Sequence, residues 1–153
     1  PFFFSSVVLQ EKIGKQKSFE MEFQKLAKKN DKPLMGLETV MYQMETIDRI
    51  SIKDQIQFMD DFSNMSEFDV LFKLYEQEDI NGLYKMISEE TDMLPEFNHW
   101  FLDVRNANWI PVIEKQIRQQ ATFIAVGAGH LGGTNGVLEL LKKQGYTITG
   151  INN

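Results

Sequence analysis

Along most of this chain the apolar positions recur every three or four residues, the period of a helix with one buried face. Phe3, Phe4, Val7, Val8 and Ile13 give the first such face, a helix over residues 1–13 with Pro1 in an allowed first turn and Gly14 as C-cap. Phe19, Met21, Phe23, Leu26 and Ala27 predict a second over 18–29, where Lys28 and Lys29 suit the negative end of the helix dipole. A third, over 40–47, starts behind Thr39, whose hydroxyl is a suitable N-cap. Ile52, Ile56 and Met59, widened by Phe58 and Phe62, predict a helix from Ser51. A break near 63–66 precedes a helix over 67–75 and a shorter one carrying Ile80, Leu83, Tyr84 and Ile87. The last long helix starts at Asp92 with Pro95 in its first turn. Its stripe is Phe97, Phe101, Leu102, Trp109, Ile110 and Ile113, and Pro111 is expected to kink or split it. The intervening acidic residues Asp60, Asp61, Glu89 and Glu90 read as a solvated face.

Three short runs break this period. Residues 33–37 follow the turn cluster Asn30-Asp31-Lys32-Pro33, are apolar, and are too short for a helix. Residues 122–126 are a second such run and 146–149 a third, with a helix over 135–144 and its Gly145 cap between them. All three read as strands, so the expected fold is helix-rich α/β, a mixed or parallel sheet core with a helical insertion over about 51–119. No repeat, low-complexity stretch or linker divides the chain, and residues 1–153 read as one domain.

Composition narrows the partners. At 153 residues the chain can bury a core, and its net charge of −6 argues against nucleic acid and anionic membrane surfaces as partners. No apolar run approaches the roughly 20 residues of a membrane span. The lack of cysteine excludes thiol catalysis, disulfides and thiolate zinc sites, and says nothing of compartment. The chain begins at Pro1 without Met or a signal-like region, which leads us to expect a fragment.

Candidate chemistry collects at three places. Five of the ten glycines, Gly127, Gly129, Gly132, Gly133 and Gly136, surround His130 in the turn after the 122–126 run. Glu38 ends the 33–37 run, so in a parallel sheet Glu38 and His130 would converge beyond the strand ends. A carboxylate and an imidazole suit a divalent metal or an acid–base pair, although two ligands are fewer than the three a catalytic zinc normally takes. Arg105, four residues from both Phe101 and Trp109, and Asn106, four from Leu102 and Ile110, face their helix's own core and need partners there. A structural ion pair answers that need as well as a site does. Gly127-Ala128-Gly129-His130-Leu131-Gly132 also matches G-x-G-x-x-G, but no second strand with an acidic residue follows, which disfavours a dinucleotide site. His99 and the eight scattered methionines receive no role.

Three segments carry a family resemblance. Gly36-Leu37-Glu38-Thr39 with Gln43 resembles a G-L-E-T-x-x-x-Q segment, Arg105-Asn106 with Trp109 an R-N-x-x-W segment, and Gly127 to Gly133 with Gly136, Leu140, Leu141, Gly145 and Tyr146 a distal G-x-x-H motif and tail. The chain resembles the TraB/PrgY/GumN family, which includes the Tiki Wnt-inactivating proteases, over essentially its whole length. The resemblance implies an α/β domain related to erythromycin-esterase-like and ChaN-like proteins, for the Tiki relatives metal-dependent hydrolysis of peptide bonds, and a cell-envelope or secreted location. For this sequence it implies His130 and Glu38 as ligands of a divalent ion of the Mn, Co or Zn type, with Glu38 as alternative general base. Arg105 would steady a carboxylate or oxyanion, with Gln43, Asn106, Gly127 and Gly129 in support. The family's proximal G-x-x-H is not in this sequence, so the chain is expected to be the C-terminal part of the domain, partnered by the missing N-terminal part and by a peptide or small-molecule substrate. Oligomerisation stays open, as does a non-catalytic protein that sequesters a small peptide or signal in the same cleft.

Overall fold

The structure, a computed structural model, describes residues 18–61, 65–90 and 95–151. The helix expected over 1–13 with Gly14, the helix start at Asp92, most of the break near 63–66, and the side chains of Asp60, Asp61, Glu89 and Glu90 lie outside the described residues. The chain divides between Leu37 and Glu38 into two compact units.

The first unit contains α1 (Phe19–Lys29). Ser18 caps it, its Oγ accepting from the Met21 N–H at 3.3 Å, with Glu20 and Glu22 in the first turn and Lys28 and Lys29 in the last. Asn30 closes the helix, its side-chain amide donating to the Leu26 carbonyl, and Asp31 turns the chain away with a φ of +50°.

The second unit holds α2 (Val40–Asp48), α3 (Ile52–Asp61), α4 (Met65–Glu76) and α5 (Ile80–Glu90). A continuous helical run follows: α6 (Pro95–Asn98), a π-helical segment (His99–Asp103) and α7 (Val104–Ile117). A 3-10 turn (Ala128–His130) and α8 (Val137–Lys143) complete it. Helix α7 is the centre, because its Trp109, Ile110 and Ile113 form the core with Leu102, Leu83, Ile50, and Val137 and Leu141 of α8. Helix α8 packs on α7, α5 packs on the 3-10 turn, and α2 reaches the π segment. Gly145 ends α8 at φ +91°, where its N–H donates to the Lys142 carbonyl and that of Tyr146 to the Leu141 carbonyl. This is the Schellman arrangement, which favours a residue without Cβ.

The sheet core is not observed. The described residues contain helices and no strand, and 33–37, 122–126 and 146–149 carry no regular secondary structure. A short apolar run reads as a strand only if its side chains are covered, yet Leu34 is 62% exposed and Phe123 78%. Among the described residues the core of the second unit is filled by helices.

Pro111 likewise does not split the last helix, since α7 runs unbroken through it. Proline removes one N–H from the ladder, and here both Pro111 and Ala107, whose carbonyl loses its donor, are exposed to water. The irregularity lies upstream instead. The Val104 N–H reaches five residues back to the His99 carbonyl, the signature of a π turn, a feature frequent at functional sites.

Candidate functional site

Phe101, Arg105 and Trp109 stand four residues apart along the π segment and α7, so their side chains share one face, with Asn106 beside them. Arg105 and Asn106 are buried and both are paired. The Arg105 Nε donates to both oxygens of Glu38 at 3.1 Å, and Nη2 donates to Oε1 at 2.7 Å. Its Nη1 donates to the Phe101 carbonyl at 3.0 Å. The Trp109 indole donates to Glu38 Oε2 at 3.0 Å, and Gln43 Nε2 to Oε1 at 3.2 Å. Glu38 sits one residue before the Thr39 cap, whose Oγ1 accepts from the Tyr42 N–H at 3.1 Å, so the start of α2 fixes both Glu38 and Gln43. The guanidinium lies 5.0 and 5.1 Å from the ring centres of Phe101 and Trp109, within cation–π range of both.

His130 packs against the same tryptophan, ring centres 4.5 Å apart, with Phe101 at 6.4 Å. Its Nδ1 lies 2.7 Å from Asn106 Oδ1, and the Asn106 amide nitrogen donates to the Asn135 carbonyl at 2.9 Å. Among the described residues Nε2 has no hydrogen-bond partner, and the residue keeps 8% of its surface exposed. Burial, and then the neighbouring Arg105 charge, pull its pKa from 6.5 down to about 4, against an opposing pull from Glu38. The imidazole is therefore neutral at physiological pH.

The glycines serve the chain's own packing. A Cβ on Gly132 would stand 2.5 Å from the Ile80 carbonyl oxygen, so this residue lets the turn lie against the start of α5. Gly133 has a φ of +78° and faces the Tyr84 ring, and Gly136 faces the Gly132 carbonyl with no room for a Cβ. Gly127 is different: a Cβ there would meet only His130 Cδ2, at an ordinary 3.8 Å. Gly127 shapes the turn through its carbonyl, which accepts from the His130 N–H at 2.9 Å, and Gly129 lies inside that turn. Gly136→Ala is accordingly expected to cost about 1–3 kcal/mol of stability in urea unfolding, while Gly127→Ala stays within about 0.5 kcal/mol of the parent. Equal costs would show that this reading of the turn is wrong.

The arrangement brings Glu38, Gln43, Arg105, Asn106 and His130 onto one helix face, with no sheet involved. Trp109 joins them, its N–H edge toward Glu38 and its ring against His130. The sequence placed Trp109 in the apolar stripe and in the R-N-x-x-W segment without a site role; the signal passed over was the indole N–H, which needs an acceptor once buried. Asn135 and Asp103 were also missed, because one contributes a backbone carbonyl and the other holds Asn135, Nδ2 to Oδ2 at 3.1 Å.

As a metal centre the donor set is incomplete. Both Glu38 oxygens already accept from Arg105, Trp109 and Gln43, and a cation there would compete with a buried guanidinium. Among the described residues no three His, Asp or Glu side chains cluster, and His130 Nε2 is the one free donor atom of the group. The residues present do not by themselves fit the divalent ion.

Compared with known families, residues 2–150 match the model of the TraB/PrgY/gumN family. No curated protein and no solved structure matches the chain.

Proposed function

The chain belongs to the TraB/PrgY/gumN family, and from that premise we propose that it is a hydrolase acting on peptides or similar amide-bearing substrates, with His130 Nε2 as its working atom. The observation that carries the reading is a neutral imidazole with a free nitrogen beside a fixed guanidinium–carboxylate pair. With its pKa near 4, His130 is poorly matched to carrying protons at neutral pH. It is better suited to stay neutral and offer a lone pair, as an imidazole ligand does. Glu38 serves as the counter-ion of Arg105. Of the five N–H donors of Arg105, those left over beside the contacts to Glu38 and Phe101 are assigned to a substrate carboxylate or a developing oxyanion. A divalent ion at His130 would need ligands that the described residues do not supply.

The test is cleavage of a peptide library by the full-length protein, with divalent ion and with chelator. We expect metal-dependent cleavage and a loss of at least about a hundredfold in His130→Gln. Activity that survives both the substitution and the chelator would overturn the reading.

A second reading rests on the same saturation of Glu38. With that carboxylate tied up and His130 weakly basic, the cluster has no ready general base, as expected of a protein that binds a small peptide or signal without cleaving it. Saturable binding with no product after prolonged incubation would favour this reading.

A further inference from the structure

Which nitrogen of the neutral His130 carries the proton decides its chemistry, because an Nε2 that bears hydrogen has no lone pair to offer. We propose that Asn106 is a positioning residue that, clamped by Asn135 and through it by Asp103, locks His130 as the Nδ1–H tautomer and leaves the lone pair on Nε2. The inference deepens the reading of His130 as the working residue and rests on it only for its functional meaning.

The chain of donors runs in one direction. The Asn135 carbonyl can only accept, so the Asn106 end that lies 2.9 Å from it is the NH2. The opposite end, 2.7 Å from His130 Nδ1, is then the amide oxygen, which also can only accept. Nδ1 must supply the hydrogen, and a neutral imidazole has only one. Turning the amide over would set the buried Asn106 oxygen against the Asn135 carbonyl oxygen, with no donor between them.

What holds Asn135 makes the arrangement stiff. Asp103 and Asn106 are three residues apart, on one face of the helical run. Asn135 bridges them, its side chain donating to Asp103 Oδ2 at 3.1 Å while its carbonyl accepts from Asn106. The loop is thus pinned at two points to the turn of helix that carries Asn106. Trp109 and Phe101 flank the imidazole and limit its rotation. Supports of this kind, one shell out from a reacting imidazole, set its tautomer and orientation.

The test reads the tautomer directly, without any activity. The full-length protein is labelled with 15N-histidine, and long-range 15N–1H spectra are recorded at pH 7. Signals from His130 are identified by their loss in His130→Gln. We expect the Nδ1–H form of His130 to exceed the other by at least roughly tenfold, the ratio a single well-made hydrogen bond sustains. In Asn106→Leu the ratio falls toward that of a free imidazole, and in Asn135→Ala, which cuts the tie to Asp103, it falls part of the way. A parent spectrum showing the Nε2–H form, or an Asn106→Leu spectrum matching the parent, would overturn the proposal. Should Asn106→Leu fail to fold, the parent spectrum and the exposed Asn135→Ala variant decide. An inactive protein with the Nδ1–H tautomer would refute the hydrolase and leave this inference standing.

Discussion

Glu38→Ala is expected to destabilise the second unit by about 3–5 kcal/mol, the usual cost of breaking a buried ion pair from one side. The cost comes from what remains. Arg105, with 6% of its side chain exposed, keeps its charge without the carboxylate that answers three of its contacts, and the Trp109 and Gln43 N–H groups lose their acceptor. Dispersion cannot replace this, because the guanidinium is charged in every accessible state. For a chain of this size the melting temperature should fall by roughly 6–20 °C. Removing both charges together is the informative control. Glu38→Gln with Arg105→Met should be more stable than Glu38→Ala alone, since no unpaired charge stays behind. Calorimetry on the single and double variants decides it. Additive losses would mean that the pair does not couple the start of α2 to α7.

The other large effect is on acid stability. His130 has a pKa of about 4 in the folded protein and 6.5 without its surroundings. Between these values the unfolded chain binds a proton that the folded chain refuses, so stability rises with pH across the window. As pH falls from about 6.5, the favourable contribution drains away and is fully lost below about 4. At about 1.4 kcal/mol per unit the loss is on the order of 3 kcal/mol. The cause is first burial of the ring and then the Arg105 charge beside it, and neither is relieved by protonation. Urea unfolding of the parent and of His130→Gln at several pH values from 4 to 7 isolates the contribution, because carboxylate effects are common to both. Parallel profiles would show that His130 titrates alike in both states.

The two effects share an origin that the sequence showed only in part. The spacing of Arg105 and Asn106 against Phe101, Leu102, Trp109 and Ile110 marked both as inward-facing, and both are buried and paired. Helical spacing is legible because one face recurs every three or four residues whatever it packs against. The partners were less legible. Glu38 was expected as a metal ligand or general base; its carboxylate accepts from Arg105, Trp109 and Gln43, and no local pattern records a contact spanning 67 residues. The glycines around His130 resembled a phosphate cradle, yet Gly132 and Gly136 make room for the protein's own carbonyls. A glycine marks close approach without saying what approaches.

The sequence by itself determined the helices that fall within the described residues, the Thr39 and Gly145 caps, family membership, and which polar residues would need partners indoors. These follow from local rules of period, capping and motif, and the described residues bear them out. The tertiary structure alone decided that the short apolar runs would not form a sheet, because a strand exists only with a neighbour to bond. It also decided that Glu38 and His130 would meet on α7 and that the helix would continue past Pro111, since Ala107, whose carbonyl loses its donor there, is exposed to water. And it set Asn106 between His130 and Asn135, where the direction of two hydrogen bonds fixes which nitrogen is free.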